Sequence, residues 1–220
     1  EGSRAVTVVD SDPTGQRASS AGSSPWAKQR ILETADRLFS DEGIHTVGID
    51  RLISESGVTK ATFYKHYGAK DKLILEYVKN RHLNAKSDIE PIVAAAETPV
   101  DALKKLFALV ELDTQREGFR GCPFVNAATE YPDPRHPVRA VVAEHRDWYT
   151  ATLATLLKEL HHPLPGDAAD DLMLIRDGAM AGAYAGDFVA VGAALARALS
   201  RILAEVSVHS KTHLDESVSS

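Results

Sequence analysis

The sequence predicts an all-α protein that begins with a helix-turn-helix. Three observations lead there: apolar residues fall at helical spacing from Trp26 onward, two short helices flank a glycine turn at residues 56–58, and the C-terminal third is rich in small residues that let helices pack closely. The 220 residues are 44% hydrophobic, enough for a substantial core. No apolar run nears the roughly 18 residues that span a bilayer, so no membrane partner is expected. A basic, apolar leader is not seen, and Cys122 is the only cysteine. One cysteine allows neither an internal disulfide nor a cysteine metal cluster, which suits a cytoplasmic protein.

Residues 1–25, EGSRAVTVVDSDPTGQRASSAGSSP, are rich in Ser and Gly without helical periodicity and predict a disordered arm. Its Arg4 and Arg17 are of the kind that reach into a DNA minor groove. The first helix follows, with Ile31, Leu32, Ala35, Leu38 and Phe39 on one face and Lys28, Arg30, Glu33 and Arg37 off it. Pro25 suits its start and Gly43 its end. A second helix over about 49–55 buries Ile49, Leu52 and Ile53. Thr59 then stands as the N-cap of a third helix over 60–67, because its hydroxyl can accept from a free amide in the next turn.

That third helix carries Lys60, Thr62, Tyr64, Lys65 and His66, which can bond phosphates or base edges, while Phe63 is expected to point inward. The whole chain has a net charge of −6 and a pI near 5.8. Between residues 26 and 82, however, lysines and arginines outnumber acids ten to eight. Screening over about 8 Å makes this local balance the relevant one for an anionic partner.

The segment AKQRILETADRLFSDEGIHTVGIDRLISESGVTKATFYKHYGAKDKLILEYV resembles the N-terminal region of TetR-family transcriptional regulators, and GVTKATFYKHYGAKDKL is its most specific part. The resemblance implies a three-helix DNA-binding head over residues 26–72, a helical ligand-binding and dimerisation body over 73–212, a disordered tail over 213–220 and about nine helices in all. It implies that Thr62, Tyr64 and His66 touch DNA, that Lys60 and Lys65 read bases, and that Lys70 grips a phosphate from the start of the fourth helix. Two positions depart from the family pattern: Thr46 is the nearest hydroxyl where a Thr or Ser usually caps the second helix, and Ala69 stands where a Ser usually caps the fourth.

The body is expected to hold helices over about 70–80, 99–116, 123–130, 134–160, 168–185 and 187–208, with a break at Pro163, Pro165 and Gly166. RGCPFVNAATEYPDPRHPVRAVVAEHRDW is similar to a subset of TetR-type bodies. Phe107, Phe124, Trp148, Tyr149, Met173 and Tyr184, with Asn126 and Arg176 as polar groups, have the composition of a small-molecule pocket. Gly178, Gly182, Gly192 and Ala194 keep the last two helices slim, either for packing within one subunit or for a homodimer interface, the latter being the family's arrangement.

Chemistry other than binding is not expected. Cys122 with Asp133 and His136 could make a nucleophile and base, but the Pro-rich segment fixes no geometry between them. His161 and His162 beside Asp167 and Asp170 read as helix-end residues rather than metal ligands. The sequence thus predicts a non-enzymatic regulator without cofactor or metal, most simply a repressor that leaves a palindromic double-stranded operator when a small-molecule effector binds.

Overall fold

The computed structural model describes residues 25–218, and the arm with Arg4 and Arg17 lies outside them. Among the described residues there are nine α-helices and no strand. The head contains α1 (Pro25–Glu42), α2 (Ile49–Ser56) and α3 (Lys60–His66). The body contains α4 (Lys70–Ala94), α5 (Pro99–Thr114), α6 (Pro123–Glu130), α7 (Pro137–Glu159), α8 (Pro165–Gly182) and α9 (Phe188–Val218).

The apolar face read for α1 is buried as expected: Ile31, Ala35 and Leu38 are fully enclosed. Ile31 and Leu38 each contribute roughly 1.5–3 kcal/mol when removed from water. Leu52 of α2 and Phe63 of α3 complete the head core. Gly57 ends α2 in the left-handed region at φ 63°, where a side chain is disfavoured, and its N–H bonds the Ser54 carbonyl. Tyr67 closes α3 onto α1, its hydroxyl donating to the Lys28 carbonyl at 3.0 Å.

Four boundaries differ from the sequence reading. The fourth helix, expected to end near 80, runs unbroken to Ala94 and carries Pro91 only near its end. Its near end is fastened to α1 by the Phe39–Tyr77 edge contact at 5.3 Å and by Arg81 Nε to Asp36 at 2.7 Å. The long seventh helix starts at Pro137 rather than 134, since Asp133 holds the preceding turn by accepting from the Arg135 amide at 3.0 Å. α8 starts earlier than expected, at Pro165, with the proline in its first turn. Finally, α9 is helical to Val218, where a tail was expected from 213.

α7 is the body's central helix and packs against α4, α5, α6 and α8. Val138, Val141, Val142, His145, Tyr149, Leu153, Leu156 and Leu157 are its buried residues, a helical stripe that recurs every three or four positions. α9 covers α5 and α8. Between α8 and α9 the chain kinks over Ala183–Asp187, where Gly186 sits at φ 114°. Only glycine adopts that φ without strain, so the turn is written into the residue.

Candidate functional site

The head builds its exposed face from a cap outward. Thr59 accepts from the Thr62 amide at 3.2 Å and so starts α3. Phe63 is wholly buried, which fixes the roll of the helix and turns Lys60, Tyr64 and Lys65 outward. Tyr64 is 42% exposed and packs edge-on against Phe63. Ala61 shares this exposed face and was not singled out from the sequence. The Lys60 ammonium lies 3.9 Å from the exposed Asp50 carboxylate, a contact weak enough for a phosphate to displace.

Three residues expected at the DNA are placed otherwise. Thr62 is buried, and its hydroxyl lies 2.9 Å from that of Thr59, so it completes the cap rather than facing a groove. His66 is half-buried, with Nε2 enclosed and unpartnered. Lys70 turns inward: its ammonium donates to the Ile44 carbonyl at 2.7 Å and lies 5.7 Å from the Phe39 ring centre. Burial lowers its pKa, with Glu130 and Asp71 pulling the other way. The α4 start, capped by Ala69 without a side-chain bond, leaves its positive end to act through backbone amides. Thr46 is exposed in the α1–α2 loop, and Gly48, not Thr46, is the N-cap of α2.

Glu130, at the end of α6, holds that same loop and was missed from the sequence. Its carboxylate accepts from the Ile44 amide at 2.9 Å and from the His45 amide at 2.7 Å, and its carbonyl oxygen lies 2.9 Å from His45 Nε2. Arg120 adds a bond to the Asp41 carbonyl. Body and loop are therefore joined through α6, with Arg120 and Lys70 adding bonds to the same segment.

At its other end α6 borders a cavity of about 170 Å³ among α4, α5, α7 and α8, lined by Ile89, Val110, Phe124, His145, Tyr149 and Arg176. Arg176 is only 7% exposed, and its guanidinium lies 4.8 Å from the Tyr149 ring centre. It donates to Asp177 at 3.1 Å and to Cys122 Sγ at 3.8 Å. Arg146 bonds the same Asp177 carboxylate. His145 stacks on Phe124 with ring centres 3.5 Å apart, and its Nδ1 lies 3.3 Å from His82 Nδ1. Burial, followed by the charges of Arg176, His82 and Arg146, pushes the His145 pKa down to about 3, so the ring is neutral near pH 7.

The eight expected ligand residues do not share one pocket. Phe124, Tyr149 and Arg176 meet in this cavity, whereas Asn126 and Tyr184 line a separate cleft of about 210 Å³ at the junction with the head. Asn126 is exposed and donates to the Arg120 carbonyl at 2.7 Å, so it does not join Arg176 as a polar group of one cavity. Trp148 lines an outer groove of about 550 Å³ with Ile89 and Leu156, and Phe107 borders one of about 260 Å³ between α5 and α9. Met173 is core. His82 and His145 were missed, although the α7 stripe puts His145 at a buried position.

Gly178 and Ala194 are exposed, and a Cβ at Gly178 or Gly182 would meet open space. Leu174 at 65% and Val189 at 84% exposure extend the apolar surface around them. Gly192 departs from this group, because it faces Glu111 of α5 in its own subunit, where a Cβ would stand 2.0 Å from the carboxylate. Cys122 is buried at the α6 N-cap, while His136 caps α7 by accepting from the Val138 amide. His162 is buried 3.5 Å from Glu205 and accepts from the Leu164 amide. Among the described residues no three His, Cys, Asp or Glu side chains converge as metal ligands, and no helix is long and apolar enough to cross a membrane.

A capped recognition helix on a three-helix head, carried by an all-helical body with an internal cavity, defines a helix-turn-helix DNA-binding regulator. Residues 31–77 match the family model for bacterial regulatory proteins of the tetR family. The crystal structure of SCO4454, a TetR-family transcriptional regulator from Streptomyces coelicolor, is 36% identical, covering 83% of this chain and 96% of that one at a TM-score of 0.79. The chain belongs to the TetR family of transcriptional regulators. It is also similar to two HTH-type transcriptional regulators of Bacillus subtilis: LmrA, 28% identical over 56% of this chain, and YerO, 34% identical over 42%. The matches span 66% of LmrA and 31% of YerO.

Proposed function

We propose that this chain acts in the cytoplasm as a homodimeric repressor that holds a palindromic operator through α3 of each subunit and releases it when a small molecule fills the body. The observation that carries the effector response is α6: one end borders the cavity at Pro123 and Phe124, and the other clasps the α1–α2 loop through Glu130. A ligand that prefers a cavity shape with α6 displaced also prefers a displaced head. Linkage then requires DNA to weaken ligand binding by the same factor. The exposed apolar surface of α8 and α9 around Leu174, Gly178, Val189 and Ala194 is the proposed dimer face.

On the DNA, Lys60, Tyr64 and Lys65 are the proposed side-chain contacts, with the amides at the α4 start on a phosphate. Exposed Thr46, in the α1–α2 loop, is proposed as a flanking contact, and two heads require half-sites about 34–36 Å apart or a multiple of that. The test is fluorescence anisotropy with DNA from upstream of the coding sequence, titrated with salt, alongside sedimentation of the protein. The expected outcome is a dimer whose affinity falls steeply and log-linearly with salt. A monomer without salt-dependent DNA binding sinks the proposal.

A further inference from the structure

The groove over the far end of α4, the turn into α5 and the end of α7 holds about 550 Å³, within the roughly 300–1,000 Å³ of small-molecule sites. None of its lining comes from α8 or α9, so the proposed dimer face leaves it open. Its walls are apolar: Ile89 and Val93 of α4, Ala102 of α5, and Trp148 and Leu156 of α7. Trp148 and Val93 are only half-buried, so apolar surface is offered to an occupant.

The charged part of the lining has one sign. Glu90, Glu97 and Glu159 line the groove, all three exposed and within reach of a ligand, and no lysine, arginine or histidine lines it. Glu90 is paired with Lys86 at 3.5 Å, and Asp101, just outside, with Lys105 at 2.7 Å. Glu97 and Glu159 form no ion pair among the described residues. Even with exposed Lys158, the neighbour of Glu159 in the chain, set against one of them, an acid is left in excess. The helix ends add to this sign. α4 stops at Ala94 and α7 at Glu159, so the negative ends of two helices meet the groove. The positive end of α5 is answered within the chain, where the Thr98 hydroxyl and the Asp101 carboxylate accept from the Asp101 and Glu97 amides, each at 3.1 Å. Glu159 thus stands at a helix end that disfavours an acid, a placement that a bound cation relieves.

One ammonium of the chain itself already uses this chemistry: Lys86 Nζ lies 5.8 Å from the Trp148 ring centre as well as beside Glu90. We infer that the groove binds an amphiphilic organic cation, an apolar body ending in an ammonium group, with the body against Trp148, Ile89 and Leu156 and the ammonium answering Glu97 and Glu159. The walls supply affinity through apolar burial, and the carboxylates supply the choice of charge.

Calorimetry on the full chain decides it, with three probes that share one body and differ in charge: 4-phenylbutylamine, 4-phenyl-1-butanol and 4-phenylbutyrate. At roughly 10 mM salt the ammonium is expected to bind about threefold or more tightly than the alcohol, and the carboxylate more weakly than either; the differences should shrink near 1 M, where exposed charges are screened. The double variant Glu97→Gln, Glu159→Gln, changed only at exposed positions, should bring the ammonium down to the alcohol and leave the alcohol unchanged. Place is read separately: the chain has two tryptophans, so in Trp26→Phe the emission reports on Trp148 alone and should change in step with saturation by the ammonium. Alcohol or carboxylate binding as tightly as the ammonium, no ammonium binding at millimolar concentration, a preference kept by the double variant, or binding that leaves Trp148 emission unchanged overturns the inference. The wild-type series stands without any variant, and no arm uses DNA, so its outcome is separate from that of the repressor reading.

Discussion

Thr62 and His145 carry opposite lessons about a polar residue on a helix. Thr62 lies in the recognition helix, yet its hydroxyl is taken by Thr59 inside the head. Thr59→Ala should therefore cost about 1 kcal/mol of stability through the lost cap. Thr62→Val should also lower stability while leaving the base preference unchanged, whereas Lys60→Ala should relax that preference at one or two base pairs per half-site. Thermal melts and a binding selection with the three variants separate these outcomes. His145 is neutral because its surroundings penalise charge. The unfolded ring takes its proton near the ordinary 6.5 and the folded ring only near 3, so stability is present above pH 6.5 and is lost as pH falls through that window. One proton corresponds to about 1.4 kcal/mol per pH unit. Urea unfolding of His145→Phe between pH 4 and 6.5 should show a pH slope smaller by about that amount; an unchanged slope means that the ring titrates normally.

Among the elements, α6 joins cavity to head with only eight residues. Its carboxylate at Glu130 satisfies two backbone amides of the α1–α2 loop, which are otherwise orphaned, and Lys70 satisfies the Ile44 carbonyl from the opposite side. Glu130→Ala should lower stability by about 1–3 kcal/mol, since amide bonds to a charged acceptor are lost. Its larger effect is on coupling: ligand should still bind, while the shift in DNA affinity on ligand binding shrinks several-fold. Anisotropy with and without a bound ligand measures this. An unchanged ligand response in a folded Glu130→Ala protein means that the head is coupled by α4 alone. Lys70→Met should weaken binding to all DNA alike, because it releases the loop and not because it removes a phosphate contact.

For the molecule as a whole, the decisive feature is the surface that α8 and α9 leave uncovered. Leu174 and Val189 are large, apolar and more than half exposed, and they flank glycines with open space above them. Leu174→Glu or Val189→Glu should place a charge in the proposed contact and shift the protein from dimer to monomer at micromolar concentration, with the helical content retained. Gly192→Ala acts differently, since it displaces only the flexible Glu111 carboxylate in the same subunit and favours the helix, and should leave the mass unchanged without lowering the melting temperature. Sedimentation and circular dichroism of these variants distinguish the two effects. Retention of the dimer by both glutamate variants places the interface elsewhere.

The sequence by itself determined the head: the buried stripe of α1, the Gly57 stop, the Thr59 cap and the inward Phe63 all act between residues within one or two turns of each other. It also marked the starts of α5 and α6, because Pro99 and Pro123 are suited to a first turn. Only the tertiary structure decided which buried groups meet. His82 finds His145 across 63 residues, Cys122 finds Arg176 across 54, and Glu130 finds Ile44 across 86. Helical periodicity says which face of a helix is covered but not which helix covers it. That choice is set by ridges packing into grooves throughout the bundle, which also scattered the expected pocket residues among separate cavities and turned Lys70 and Thr62 inward.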